Sequence, residues 1–423
     1  MFYYPFAVLG VVLFTSTAPA GKKTIEFAVE AGEHARANEP VTVPLVLPVE
    51  FEKIHTVILR TGKDTREIVG QLTPPGLDAE VKTPSDKQIA RELHFILPSL
   101  MARGAVTFEA VLDTDNPDVK LDKDKLFNWT DATGPAPTLN FGSTPVLRYM
   151  YKDLDTSSAQ KREETFKVFH HLFDPAGKRL VTKGPPGGLY PHHQGIFYGF
   201  REVVYDGNKK VDIWHCPEAY QAQERFLETE AGPVLGRQRV LVAWHGKGTD
   251  VFAREEREMT VYHVAGGTLL QFVSRLKTTG GPVKLDGDPQ HSGFHFRAAQ
   301  EVADKTKAET IYIRPDGVGK PGETRNWDKD HTDHKNLPWD AMSFVLGGQR
   351  YTVAYLDLPT NPKEARYSER DYGRFGSYFV TEVTEAKPLT VKYRLWLQEG
   401  QMTVEDVAAL SNAFVAPVKI TVK

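Results

Sequence analysis

Two histidines stand side by side, His192 and His193, after a glycine- and proline-rich turn that begins at Pro186 and before the aromatic run Ile196-Phe197-Tyr198-Gly199-Phe200. The same stretch closes on Trp214, His215 and Cys216. Imidazole titrates and ligates metals near neutral pH, and phenol and indole rings offer flat faces with a polar edge. His192, His193, His215, Tyr190 and Trp214 therefore predict a polar pocket with an aromatic floor. Cys216 is the chain's one cysteine, so no internal disulfide forms. It reads as a small buried apolar residue.

Three further segments carry chemistry. In Asp288-Pro-Gln-His291-Ser-Gly-Phe-His295-Phe-Arg297 a strand of period two places His291, Gly293, His295 and Arg297 on one face and Phe294 and Phe296 on the other. Small Gly293 would leave room there for a ligand. In Thr324-Arg325-Asn326-Trp327, Arg325 could grip oxygens and Trp327 stack on a ring, as in a loop folded over a ligand. The nearby His331 and His334 have HxxH spacing, but without helix signals they read as a solvated loop. In Ser368-Glu369-Arg370-Asp371-Tyr372-Gly373-Arg374-Phe375, the density of ionisable side chains points to substrate contact or to orientation of a histidine.

These residues need a scaffold, and the pattern supplies one made of strands. From Thr24 to Val111 the runs TIEFAV, VTVPLVL, HTVILRT, ELHFIL and AVTFEAVL alternate with turn-rich stretches, which predicts an immunoglobulin- or fibronectin-like sandwich. Longer runs follow, among them RQRVLVAWHG, VFAREEREMTVYHV, TLLQFVSRLKTT, FVLGGQRYTVAYLDL and PLTVKYRLWLQ. Joined by tight turns, they predict two large packed antiparallel sheets. The expected division is residues 21–135 for the small sandwich and 136–423 for the large one. FKVFHHLF reads as a strand with His170 and His171 on opposite faces. AREEREM, charged on both faces, reads as an exposed edge. A helix is expected where Thr403 precedes VEDVAALSNAF.

Residues 1–20 hold an apolar run ending in Ala18-Pro19-Ala20, the small-x-small pattern of a secretory leader, which predicts a secreted or periplasmic protein. No later segment is apolar enough to span a bilayer. A formal net charge of -3 gives nucleic acid no electrostatic footing as a partner. No GxSxG elbow, Walker loop, HExxH or CxxC occurs. What remains is acid–base or metal-assisted chemistry built on histidines from separate strands.

YPHHQGIFYGF with the later DIWH, the GFHFR strand and LDLPTNPKEARYSERDYGRFGSYF resemble the PmoA-like domain family over roughly Pro145 to Gln398. Its label refers to a membrane methane oxygenase, whose spanning helices this chain lacks after the leader. The resemblance implies a large β-supersandwich similar to that of galactose mutarotase, and carbohydrate breakdown. It also implies functional roles for His192, His193, Trp214, Arg370, Asp371 and Tyr372. The expectation is thus an all-β, exported carbohydrate-active hydrolase or lyase. One of His192, His193 or His291 would be the base, Tyr372 or a second histidine the acid, Arg370 the charge stabiliser and Asp371 an orienting group. Tyr190, Trp214, His215, His295, Arg297, Arg325 and Trp327 would contact substrate. A divalent metal on two or three of His193, His215, His291 and His295 is one variant of this reading. A non-catalytic carbohydrate-binding protein and a mutarotase or epimerase are the alternatives, and the oligomeric state is left open.

Overall fold

Short apolar alternations bounded by Gly, Pro, Asn and Asp favour pleated, half-buried strands, and strands dominate the chain. The computed structural model describes residues 21–62, 64–81, 85–117, 119–328 and 331–423, with the backbone alone for 64–66. The leader expected at residues 1–20 lies outside the described residues. Among the described residues the strands form four sheets, of seven, eight, four and nine strands.

The seven-stranded sheet runs in the order Arg36–Pro48, Gln88–Leu100, Asp64–Thr73, Thr56–Thr61, Ala105–Asp113, Lys22–Glu30, Lys419–Val422. Phe27 and Phe95 sit four strands apart in that order, about 19 Å along a flat sheet. Their rings are 5.9 Å apart, so the sheet folds over on itself and encloses its own core. This is the small sandwich the sequence predicts. Two strands lie across the expected division at residue 135. Phe127–Thr130 pairs with Thr138–Phe141 in the eight-stranded sheet, and the last strand, Lys419–Val422, pairs with Lys22–Glu30 in the small one.

The large unit is the expected supersandwich. Its eight-stranded sheet runs Arg366–Arg370, Arg374–Tyr378, Ser292–Arg297, Ile196–Phe200, Phe169–Leu172, Thr144–Met150, Thr138–Phe141, Phe127–Thr130. The nine-stranded sheet runs Tyr220–Ala231, Leu235–His245, Val251–Val264, Gly267–Thr278, Leu389–Glu399, Gln349–Asp357, Trp339–Leu346, Ile311–Arg314, Gly317–Val318. They pack face to face: Phe294 of one stacks on Phe272 and Tyr393 of the other, at 4.3 and 4.9 Å between ring centres. Each such buried side chain contributes about 1.5–3 kcal/mol by leaving water. The four-stranded sheet adds Val203, Leu285 and Val383 to the same core.

Among the described residues two α-helices flank the sheets. Ala159–Thr165 is helical, capped by Ser158, whose hydroxyl accepts from the Lys161 amide; of FKVFHHLF only Phe169–Leu172 is strand. Val404–Val415 has the expected Thr403 cap, with Asp406 answering it in a capping box. No helix among the described residues is long and apolar enough to cross a membrane.

Period two then separates the two faces of the eight-stranded sheet. Ile196, Tyr198, Phe200, Phe294 and Phe296 enter the core between the sheets. On the outer face Phe197 joins Phe169 and Trp214 in a small apolar cluster of their own. The histidines gather over that cluster.

Candidate functional site

The loop after Leu189 comes back over the sheet through a tight turn. Tyr190 has φ 53, a left-handed conformation uncommon for a residue with a side chain, and its carbonyl accepts from the His193 amide at 3.0 Å. Lys167 lies beneath: its buried ammonium donates to the carbonyls of His192 and Trp214. One side chain thus fastens the loop bearing His192 and His193 to the loop bearing Trp214 and His215.

Asp212 orients the second loop. One carboxylate oxygen accepts from the amides of Trp214 and His215 at 2.8 and 2.7 Å, and the other faces His215 Nδ1 at 2.7 Å. Asp288 does the same for His291, meeting its Nδ1 at 2.9 Å while accepting from Arg201 at 2.9 Å. Burial opposes the charge on Asp288, but the hydrogen bond and charge of His291 and the bond from Arg201 hold its carboxyl well below the usual range. A carboxylate accepts, so in each couple the ring Nδ1 is the donor.

These two Asp–His pairs meet. The His215 and His291 rings are 4.9 Å apart, His192 is 4.4 Å from His215, and His193 is 4.3 Å from His192. The His215 and His291 side chains are about one-third exposed (32% and 28%), so solvent reaches them. His192 is held neutral, at about 2, by burial first and then by the charge of Lys167 and neighbouring histidines. Burial and Arg374 push His193 well down as well. Tyr190, exposed, and Tyr372 complete the wall, with ring centres 5.1 Å apart and 5.5 and 6.3 Å from His193. The His192 Nε2, both His193 nitrogens and the Trp214 Nε1 are buried with no hydrogen-bond partner among the described residues. Such unmet polar capacity is unusual in a folded interior.

Several expected roles need correction. Trp214 is fully buried, so it supports the histidines from behind and offers no face to a substrate. His295 is fully buried too: Nε2 donates to the Ser292 carbonyl at 2.8 Å and Nδ1 accepts from Arg374 at 3.0 Å. With both nitrogens engaged, it neither touches substrate nor ligates a metal. Arg297 is buried beneath Tyr372, donating to the carbonyls of Ala298 and Tyr372. The metal set His193, His215, His291 and His295 does not converge, because no three of those ligand atoms come within 4.8 Å of one another. Gly293 makes no room for a ligand, since a Cβ there would lie 1.9 Å from the Ser377 carbonyl oxygen. Asp371 orients nothing: it has no hydrogen-bond or ion-pair partner among the described residues. His170 and His171 are both buried, the first stacked on Tyr149 and the second bonded to Thr182.

Arg370 donates to Asn326 at 2.5 Å, and its charge acts on the Tyr372 and Tyr190 hydroxyls of the pocket wall. Ser368 donates to the same Asn326 oxygen and accepts from Arg374, which holds His295 and lies 3.4 Å from the Tyr372 hydroxyl. Arg374, Asp212, Asp288 and Lys167 are the residues sequence reasoning missed. The two aspartates each stand three places before a histidine, a spacing that could have signalled them. Arg325 pairs with Asp316 at 2.5 Å, and Trp327 lies under the Arg366 guanidinium at 4.2 Å. Neither contacts the histidines.

A second cluster lies on the opposite face of Arg366–Arg370. Buried His334, Asp340 and Glu369 bring ligand atoms within 4.8 Å of one another. His334 is thus not on a solvated loop. Two hollows lie elsewhere. One of ≈ 550 Å³ is bordered by Gly280–Pro282 and Thr384–Ala386. The other, ≈ 260 Å³, lies between the small sandwich and the nine-stranded sheet, lined by ion-paired Arg237, Glu92, Glu258, Asp78 and Lys392.

Fold and site together define an all-β chain with a histidine pocket on the outer face of a large sandwich. A family model matches residues 136–412, and the chain belongs to that family, a family of unknown function (DUF6807). No PmoA-like family matches, so that resemblance is withdrawn, and roles drawn from it rest on geometry alone. No curated protein matches. Among solved structures the chain is similar to an alpha-mannosidase from Enterococcus faecalis V583, at 10% identity and TM-score 0.43, over 95% of this chain and 46% of that one. It is also similar to a protein in Glycosyl Hydrolase Family 38 from Enterococcus faecalis, at 9% identity and TM-score 0.44, over 95% and 47%. The chain spans about half the length of each. Neither likeness bears on what the pocket does.

Proposed function

We propose that the His192–His215–His291 pocket binds a carbohydrate and moves protons on it, making the chain an exported carbohydrate-active enzyme of the lyase or hydrolase kind. The observation that carries this reading is the pair of Asp–His couples, Asp212–His215 and Asp288–His291, with rings 4.9 Å apart at a solvent-reached surface. A carboxylate on Nδ1 fixes the tautomer and the orientation of the ring, the arrangement a general base needs. Exposed Tyr190 gives a sugar ring a face to stack on.

Elimination fits better than two-carboxylate hydrolysis. Asp212 and Asp288 are each committed to a histidine, whereas glycosidases of the common kinds use carboxylates on the bond itself. In elimination, His215 or His291 takes the proton beside a sugar carbonyl or carboxylate, the C–O bond at the next carbon breaks, and the leaving oxygen takes a proton from Tyr190 or Tyr372.

Incubation of the purified chain with a panel of polysaccharides and 3-keto-glycosides tests this. Unsaturated products support elimination, and new reducing ends alone support hydrolysis. His215→Ala and His291→Ala are expected to lower kcat by about 10²–10⁴-fold, the usual worth of a positioned base. Sugar affinity with no product would instead assign a binding protein, and full turnover by both variants would move the chemistry elsewhere.

A further inference from the structure

We propose that His334, Asp340 and Glu369 bind one divalent transition-metal ion between the two large sheets, behind the strand that carries Arg370. The three residues come from separate elements. Asp340 lies on Trp339–Leu346, where period two sends it inward with Met342 and Phe344, and Glu369 lies on Arg366–Arg370, facing inward with Tyr367. His334 sits on the loop whose carbonyl accepts from the Tyr367 amide.

Asp340 is the telling residue. It is 0% exposed, and neither carboxylate oxygen meets a donor at full hydrogen-bond geometry among the described residues; only the Ala341 amide and the charges of Arg314 and Arg325 favour its ionised form. Buried Asp357 shows what a purely structural aspartate looks like in this fold: its carboxylate accepts from Asn361, Lys363 and Tyr367. Leaving a buried carboxylate bare costs several kcal/mol unless a cation or a proton joins it. The His334 Nε2 is also buried without a hydrogen-bond partner, 3.4 Å from Glu369.

The surroundings are arranged as a ligand's outer shell would be. Glu369 is held by the Arg314 guanidinium at 2.7 and 2.5 Å and by the Arg325 amide at 2.6 Å. Partners of that sort fix a ligating carboxylate in place. Glu369, Glu323 and Asp316 pair with Arg314 and Arg325, and Asp340 is left without an ion pair of its own among the described residues. Two carboxylates and one imidazole suit Mn²⁺, Fe²⁺ or Zn²⁺ better than Ca²⁺ or Mg²⁺, which favour all-oxygen shells. Such an ion would pin the strand bearing Ser368 and Arg370, whose opposite face supports the histidine pocket.

The test strips the full chain with chelator and titrates it separately with Mn²⁺ and Zn²⁺, reading bound metal by elemental analysis and the thermal midpoint by scanning. The wild type is expected to take up one equivalent and gain thermal stability. Asp340→Asn should bind at least about 100-fold more weakly, since losing even an outer-shell partner costs about 10–100-fold. His331→Ala, altering an exposed neighbour, should bind as the wild type does. Wild-type protein that takes up neither ion overturns the proposal and leaves a proton on Asp340 as the occupant, and that result needs no variant to fold. Undiminished binding by Asp340→Asn overturns it equally.

Discussion

A histidine's neighbours decide whether it reacts or merely packs, and here they divide the histidines into two kinds. His215 and His291 have a carboxylate on one nitrogen and solvent near the other. His171 is different: burial, then Arg148, pushes it down to about 4, and its Nδ1 is bonded to Thr182 at 3.0 Å. A histidine held below its unfolded value of about 6.5 stabilises the fold fully above that pH. Its contribution falls as pH drops from 6.5 toward 4, because the unfolded chain takes up a proton that the native chain refuses. The slope is about 1.4 kcal/mol per pH unit per histidine. Carboxyls raised by burial, such as those of Glu92 and Glu258, act with the opposite sign, so the comparison must be with a variant. His171→Gln, which can still meet Thr182, is expected to lose less stability than the wild type between pH 6.5 and 5 in urea titrations. Parallel profiles would show that His171 takes its proton in the native state. The sequence displayed the side chains of His192, His215 and His291, but their exposure depends on which loop covers which. Trp214 and His295 therefore looked like contact residues although both are buried.

At the level of the strand, period two was a sound guide. The alternation in His291 to Arg297 divided Phe294 and Phe296 from His295 and Arg297 as the structure does. It could not show that the polar face is roofed by loops from residues 190 and 212. In AREEREM it misled: Val251–Val264 is paired on both sides, and Glu255 is buried in a bidentate pair with Arg257 while accepting from Trp244. Charges two apart on one face can satisfy each other, which a polarity pattern does not reveal. Backbone approach was equally hidden. Gly293 has φ 100 and leaves only 1.9 Å between a would-be Cβ and the Ser377 carbonyl oxygen. Gly293→Ala must therefore shift the strand pair that carries His295 and Arg374. We expect a loss of at least about 2 kcal/mol in urea unfolding. Gly281→Ala, with nothing within 4 Å of its Cβ, should stay within about 0.5 kcal/mol of wild type. Equal stability of the two variants would mean that the close approach at Ser377 relaxes freely.

Across the whole molecule, two sandwiches were legible from strand length and turn spacing, but not the seam between them, because pairing of residues hundreds of positions apart leaves no local pattern. The seam is polar. Arg237 of the nine-stranded sheet is buried and donates to the Thr73 hydroxyl and the Pro74 carbonyl of the small sandwich, and it faces Glu92, Glu228 and Glu258. Glu258 in turn accepts from the Leu77 amide. Removing the guanidinium would strand buried carboxylates, a change that costs about 3–5 kcal/mol, and would cut the small sandwich loose from its support. The six tryptophans, 129, 214, 244, 327, 339 and 396, all lie outside the small sandwich. Tryptophan fluorescence thus reports the large unit alone, whereas far-ultraviolet circular dichroism reports both. In the wild type the two signals should change together on urea unfolding, the mark of one cooperative unit. In Arg237→Leu the dichroism should begin to fall at lower urea than the fluorescence, as the small sandwich unfolds first. Coincident curves at the wild-type midpoint would show that the apolar contacts of the seam, and not its ion cluster, join the two halves.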